Sequence, residues 1–480
     1  MKSNASLKSA DLCFTPALKL RDMLRRKRIS PVELTQAFLE RIERVNPRIN
    51  AYCTVVPELA LKMAKQAEAD LARGGEVGLL CGLPVSIKDV TMVAGVRTTY
   101  GSKLHEHFVP EIDEVVVERV KKAGAVILGK TNTPEFAAGA STFNAVFGVT
   151  RNPWDTACTV GGSSGGAAAS VAAGIGPLAH GNDLYGSLRI PASFCGVVGF
   201  RPSPGRVPWY PNELNWDDFC VQGPIARTVG DVALLLEAMS GPDHRSPVSL
   251  SHEQGSFLRA IKQPSIRNMK IAWSDNLNLI PVDPEVQKIA RSAIKVFHSL
   301  GAEVAEDAPD FSGVRETALV LRGLLFVSLY YERMNAPEFK RLVNPLVTGN
   351  IEQGLKYSIR DVAKALRHRS QLWENTRKFF DTYDFLVTPT VPIPPFPAEM
   401  KYPTEIAGKP MESYVDWAAL TFSVTMVGLP AVSVPCGWTE KGLPVGIQIV
   451  GRRHGEAALL RAAAAYEMAA PWADKRPPIG

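Results

Sequence analysis

Residues 160–191 read VGGSSGGAAASVAAGIGPLAHGNDLYGSLRIP, and this stretch limits the chain more than any other. Glycines bracket two serines in Gly161-Gly162-Ser163-Ser164-Gly165-Gly166. A chain accepts so many glycines only where backbone approaches something closely or takes φ > 0. The small residues 167–173 can form a tightly packed helix, and a polar turn follows, Gly181-Asn182-Asp183-Leu184-Tyr185-Gly186-Ser187. Serine sites at the two ends of one small-residue helix predict a polar centre of hydroxyls and bare backbone N–H groups. Acyl transfer needs both, a nucleophile and donors for an oxyanion.

The rest of the chain alternates helical and strand patterns, which predicts an α/β fold with a mixed sheet. Ser30, Pro31 and Glu33 form a capping box ahead of Leu34, Phe38, Ile42 and Val45 at helical spacing, and this helix is expected to end near Asn46-Pro47. A second helix is expected over 57–72, one ahead of the strand 125–129, and others over 229–239, capped by Thr228, and 284–300. Short strands are expected at 85–87, 196–200, 271–273, 303–304, 385–389, 430–435 and 445–450. Residues 312–382 read as a helical cover over the sheet, and an Ala-rich helix closes the chain.

Composition excludes several function classes. A net charge of +6 is small for 480 residues, and the basic run Arg25-Arg26-Lys27-Arg28 reads as a solvated face of a helix, so no nucleic-acid partner is expected. Seven scattered cysteines without a C-x-x-C pair predict reduced thiols in a cytoplasmic protein, with no disulfide framework and no structural metal. The first residues lack a signal-peptide core, and no run of about 18 apolar residues exists, so no membrane association is expected.

Three readings of the glycine stretch compete. A phosphate loop needs a lysine after its glycines, which is missing. A nucleophile elbow, G-x-S-x-G, is matched by residues 162–166, but residues 159–160 make a poor strand and His454 is the only late histidine. A plain Gly/Ser-rich helix start explains the glycines but not the second serine turn. Lys88, behind the alternating Val85-Ser86-Ile87, reads equally as a snorkelling surface lysine or as a buried functional amine. Asp183 and Arg189 read as structural, fixing the turn through charge-assisted hydrogen bonds. Cys158 and Cys195 read as buried small hydrophobes, His105-Glu106-His107 as a loop, and His180 as a minor candidate for substrate contact.

Taken together, these motifs resemble the amidase signature family. The resemblance rests on the stretch 161–166, on Gly181-Asn182-Asp183, on GSLRIP (186–191) and on FCG (194–196). It extends to GLPVSIKD (82–89), GKTNTPEF (129–136), NPW (152–154), GLP (428–430) and LPVGIQ (443–448), and covers about residues 20–470, weakest over 205–400. It implies one amidase domain over 1–480. An N-terminal helical segment (1–80) and a signature core (81–205) would precede a largely helical substrate-covering region (206–400) and C-terminal strands with a helix (401–480).

The resemblance further implies a Ser–cis-Ser–Lys triad. Lys88 matches the general base, Ser163 the bridging serine on a cis peptide, and Ser187 the nucleophile. The N–H groups of Leu184, Tyr185, Gly186 and Ser187 match the oxyanion hole, and Ser164, Asp183 and Arg189 support the site. The implied activity is hydrolysis of a small-molecule carboxylic amide through a seryl acyl-enzyme, with no cofactor and no metal. A homodimer stays open. The alternatives are a glutaminase-type subunit of an amidotransferase, which the Asn215-Trp216-Asp217-Asp218-Phe219 region does not resemble, and a catalytically silent binding relative. The family pattern Gly-Thr-Asp-x-Gly-Gly-Ser is altered twice here, to Asn182 and to Tyr185. The second change predicts a phenol that narrows or lines the acyl pocket.

Overall fold

Parallel strands buried on both faces read as near-continuous apolar runs. PVSIK and VILGKT do so, and every residue of both is buried in the computed structural model, which describes residues 12–251 and 256–479. They belong to a mixed sheet of eleven strands. In chain order these are β1 (Tyr52–Val55), β2 (Pro84–Lys88), β3 (Val126–Thr131), β4 (Leu178–Asp183), β5 (Val198–Arg201), β6 (Val221–Ala226), β7 (Lys270–Trp273), β8 (Glu303–Glu306), β9 (Phe385–Pro389), β10 (Ala431–Trp438) and β11 (Pro444–Val450). Their order across the sheet is β1-β3-β2-β4-β6-β5-β10-β11-β9-β7-β8.

The pairing directions decide where chemistry can gather. β2 runs parallel to β3 and to β4, with Val85 opposite Leu178 and Ser86 opposite Ala179. Their carboxyl ends therefore open on one edge, where α/β sheets hold ligands. Lys88 ends β2, and Asn182 and Asp183 end β4. Helix Gly165–Ala172 is buried along its whole length. Its small residues are required: a Cβ on Gly166 would lie 2.4 Å from the backbone nitrogen of Asn132.

Local signals explain most elements. Ser30 Oγ accepts from the Glu33 N–H (3.1 Å) and Glu33 accepts from the Ser30 N–H (2.8 Å), which starts helix Pro31–Ile49. That helix passes Pro47, contrary to the expected stop. A late proline removes a single donor, and the helix ends instead at Asn50, in the left-handed region at φ 52°. Thr228 caps helix Val229–Met239 as expected. The run Arg25-Arg26-Lys27-Arg28 is exposed, but only Arg25 is helical; the rest forms the turn beyond Ala17–Arg25.

β1, β4 and β6 were not legible in the pattern. β6 contains Gly223 and Pro224, which argue against a central strand, yet all its residues are buried between β4 and β5. Helices Val314–Tyr330, Pro337–Leu342, Pro345–Leu355 and Ile359–Thr382 fill the region expected as a helical cover. Among the described residues, no helix is long and apolar enough to cross a membrane. All seven cysteines are free.

Candidate active site

Lys88 is fully buried at the end of β2, so the surface reading of this lysine does not hold. Its Nζ lies 2.7 Å from Ser163 Oγ, 3.0 Å from Ser164 Oγ and 2.5 Å from Asn182 Oδ1. The Gly162–Ser163 peptide is cis. Burial lowers the pKa of Lys88 from 10.5 to about 7, with Cys220 and Asp183 opposing. An uncharged amine has two N–H groups and one lone pair. Ser164 Oγ donates to the Asn182 carbonyl (3.1 Å), so towards Lys88 it can only accept. Asn182 Oδ1 also only accepts. Both N–H groups are thereby assigned, and the lone pair faces Ser163.

The turn after β4 is held from inside by Asp183. Its carboxylate accepts from the N–H groups of Gly186 (2.9 Å) and Leu188 (3.1 Å), from Arg189 Nε and Nη2 (3.1 and 3.0 Å) and from Arg201 Nη1 (3.1 Å). Burial acts to raise the Asp183 pKa, but Arg189 and Arg201 outweigh it and hold it well below the ordinary carboxylate range. Gly186 sits at φ 117°, and a Cβ there would lie 2.4 Å from Thr421 Oγ1, so only glycine fits. The Gly186 N–H therefore serves Asp183, unlike the expectation that it joins the oxyanion donors. The N–H groups of Leu184, Tyr185 and Ser187 have no acceptor among the described residues.

Ser187 and Leu184 are half-buried and line a cavity of about 520 Å³ together with Ser163 and Asn182. Tyr185 does not line it. Its backbone is not left-handed, and its hydroxyl donates to the Ala318 carbonyl (2.7 Å) on the cover helix, with the ring packed on Phe422 and Arg322. The expected narrowing of the acyl pocket is thus corrected: the phenol has a better-satisfied place in the apolar cluster under the cover. Arg189, Asp183 and Ser164 are fully buried. His180 is fully buried, its Nε2 3.0 Å from Gln222 Oε1, and does not line the cavity. His454 is exposed and outside it. Cys195 is buried as expected, whereas Cys158 is only half-buried.

Sequence reasoning missed much of the wall. His105, read as loop, lines the cavity with Tyr100, Phe108, Phe136 and Tyr330. These rings contact one another at centroid distances of 5.2–6.4 Å. Tyr100 and Phe136 both take left-handed backbone, at φ 55° and 51°. Each such bulky residue costs roughly 1–3 kcal/mol and persists only where its surroundings fix it. Here the Phe136 N–H donates to the Tyr100 carbonyl (2.7 Å) and the Tyr100 N–H to that of Asp89 (2.9 Å). Asn182 carried a signal, its departure from the usual threonine. Among the described residues no group of His, Cys, Asp or Glu side chains suits a metal ion.

Residues 33–460 match the amidase family model. The chain belongs to the amidase signature family. The amidase is 36% identical to the acylamidase of Rhodococcus erythropolis over 450 residues, 94% of each chain. It is 38% identical over 496 residues to the A component of the glutamyl-tRNA(Gln) amidotransferase of Moorella thermoacetica, covering 98% of this chain and 99% of the relative. Its fold is similar to that of a bacterial aryl acylamidase, with a TM-score of 0.89 at 30% identity, over 96% of this chain and 97% of the other. The amidase is accordingly an enzyme of the class that hydrolyses amide C–N bonds, and its fold is the family's mixed sheet surrounded by helices.

Proposed function

We propose that this amidase hydrolyses a carboxylic amide to an acid and an amine or ammonia through an acyl-enzyme on Ser187, with Lys88 as base and Ser163 as relay. The observation that carries this reading is the contact set of Lys88. With both N–H groups engaged by Asn182 and Ser164, its lone pair is left for the Ser163 hydroxyl proton. As Ser187 Oγ attacks the carbonyl carbon, its proton passes to Ser163 Oγ, and the Ser163 proton passes to Lys88 Nζ. The carbonyl π electrons become the oxyanion, which the N–H groups of Leu184, Tyr185 and Ser187 are available to bind. Collapse breaks the C–N bond, and the departing nitrogen takes the proton back from Lys88 through Ser163. Water then repeats the sequence on the ester and frees the acid. Fixed N–H donors that meet the developing charge supply much of the rate enhancement in such reactions.

The aromatic wall supports a bulky apolar or aryl substituent on the amide. Incubating the purified chain with aliphatic and aryl amides, and measuring amine or ammonia release, tests the reading. Turnover by the chain alone is expected. Glutamine as the sole substrate, hydrolysed only in the presence of partner proteins, would favour the amidotransferase reading. A wild-type enzyme inert towards every amide would favour the silent relative, although Tyr185, turned away from the cavity, gives no reason for it.

Asn182 provides a second test. In Asn182→Asp a carboxylate replaces the neutral acceptor beside the amine. It favours the ammonium form, so the rising limb of kcat/KM against pH is expected to move to higher pH by about one unit or more. An unmoved limb would remove Lys88 from the role of base.

A further inference from the structure

The polar groups of the cavity are not balanced. Glu114, Glu213 and Asp217 line it, against one guanidinium, Arg333. Arg333 is already engaged: it forms an ion pair with Glu213 and lies 5.5 Å from the ring centroid of Tyr330. Glu114 and Asp217 are left with neutral donors. Glu114, only 3% exposed, accepts from the Met92 N–H (3.0 Å) and from Gln222 Nε2 (2.9 Å). Asp217 accepts from the N–H groups of Phe219 (3.2 Å) and Cys220 (3.1 Å). Neither forms an ion pair among the described residues. Lys130 and Arg201 act on them only from longer range, being bound to Thr91, Thr98 and Asp89 and to Asp183 and Phe219.

A buried carboxylate without a cation is costly in its charged form; Glu114 is buried and Asp217 half-buried, and desolvation raises the pKa of both, that of Glu114 to about 7. A cation brought in by the substrate would relieve that cost. The cavity is also lined by Tyr100, Phe108 and Phe136, aromatic rings of the kind that attract cations through their quadrupoles.

We infer that the preferred substrates are amides carrying an ammonium group on an apolar body, the ammonium being received by Glu114 and Asp217 against the aromatic wall. This rests on the amide-hydrolase reading above and names its substrate class. It makes Glu114 and Asp217 specificity-determining residues of the site.

Two matched pairs test it, one for each side of the scissile bond. The first is the 4-nitroanilides of 5-aminopentanoic and hexanoic acids. The second is 4-(aminomethyl)acetanilide and 4-ethylacetanilide. Within each pair an ammonium faces a methyl of similar size. In at least one pair the ammonium member is expected to have roughly 10–100-fold higher kcat/KM, the range of a hydrogen bond to a charged group. Glu114→Gln and Asp217→Asn are each expected to reduce that ratio several-fold. A ratio measured on one preparation cancels any loss of folded enzyme.

Equal or better hydrolysis of the neutral member in both pairs would overturn the inference while leaving the amide-hydrolase reading intact. So would a preference unchanged in both variants. Failure to hydrolyse any of the four amides, with no acyl-enzyme on Ser187, would instead sink the reading itself, and this inference with it.

Discussion

In Lys88→Ala, kcat/KM for any amide the enzyme turns over is expected to fall by about 10³–10⁵-fold, the range for removing one member of a proton-transfer unit. His454→Ala, at a residue that does not line the cavity, is expected to stay near wild type. The pH dependence carries the finer test. Burial brings the Lys88 pKa down to about 7, and only the uncharged amine accepts a proton. Activity should therefore rise as pH increases through about 7, with roughly one amine in ten uncharged one unit below and nine in ten one unit above. The sign is fixed by the desolvation of an ammonium. A profile that falls over the same range, or a Lys88→Ala variant close to wild type, would contradict the assignment.

The second large effect is on Ser187. A fluorophosphonate is expected to label the wild-type protein there, and Ser187→Ala to abolish both labelling and turnover, a loss of about 10⁴-fold or more. Ser163→Ala should slow labelling without moving it, since in the proposed mechanism Ser163 transfers protons and forms no bond to the acyl group. Mass-spectrometric detection of the label on Ser163 or Ser164 in the wild-type protein would reassign the nucleophile. Ser187 and Ser164 differ in surroundings. Ser187 is half-buried on the cavity, whereas Ser164 is fully enclosed between Lys88 and Asn182.

The sequence signals that succeeded are local or tied to backbone geometry. The Ser30–Glu33 box, the Thr228 cap and the glycines around Ser163 each act within a few residues, so the pattern carries them. The mixed α/β architecture followed from alternating strand and helix patterns. β6 was lost because its glycine and proline oppose a strand, and only burial between β4 and β5 overrides them. Tyr185 misled because a residue's position in the chain says nothing about which way its side chain turns. The deciding partner, the Ala318 carbonyl, lies 133 residues away. Glu114 and the aromatic wall were equally invisible. Phe136 meets Tyr330 only because the cover helix folds back over the turn that contains Phe136.

The turn that carries Ser187 is also fastened to the far end of the chain. Arg189, which grips Asp183, donates through Nη1 to Gln448 Oε1 (3.0 Å), 259 residues later. Gln448 in turn donates to Thr388 Oγ1 and to the Leu420 carbonyl. β10 and β11 stand in the middle of the sheet and join its two halves. A nascent chain has made Lys88, Ser163, Asp183 and Ser187 well before it makes the strand that braces them. Contacts of such separation carry a large loop-closure cost. The proposed triad is therefore braced only near the end of synthesis, and a chain that stalls before residue 444 carries Lys88, Ser163 and Ser187 without the contact that shapes the Ser187 turn.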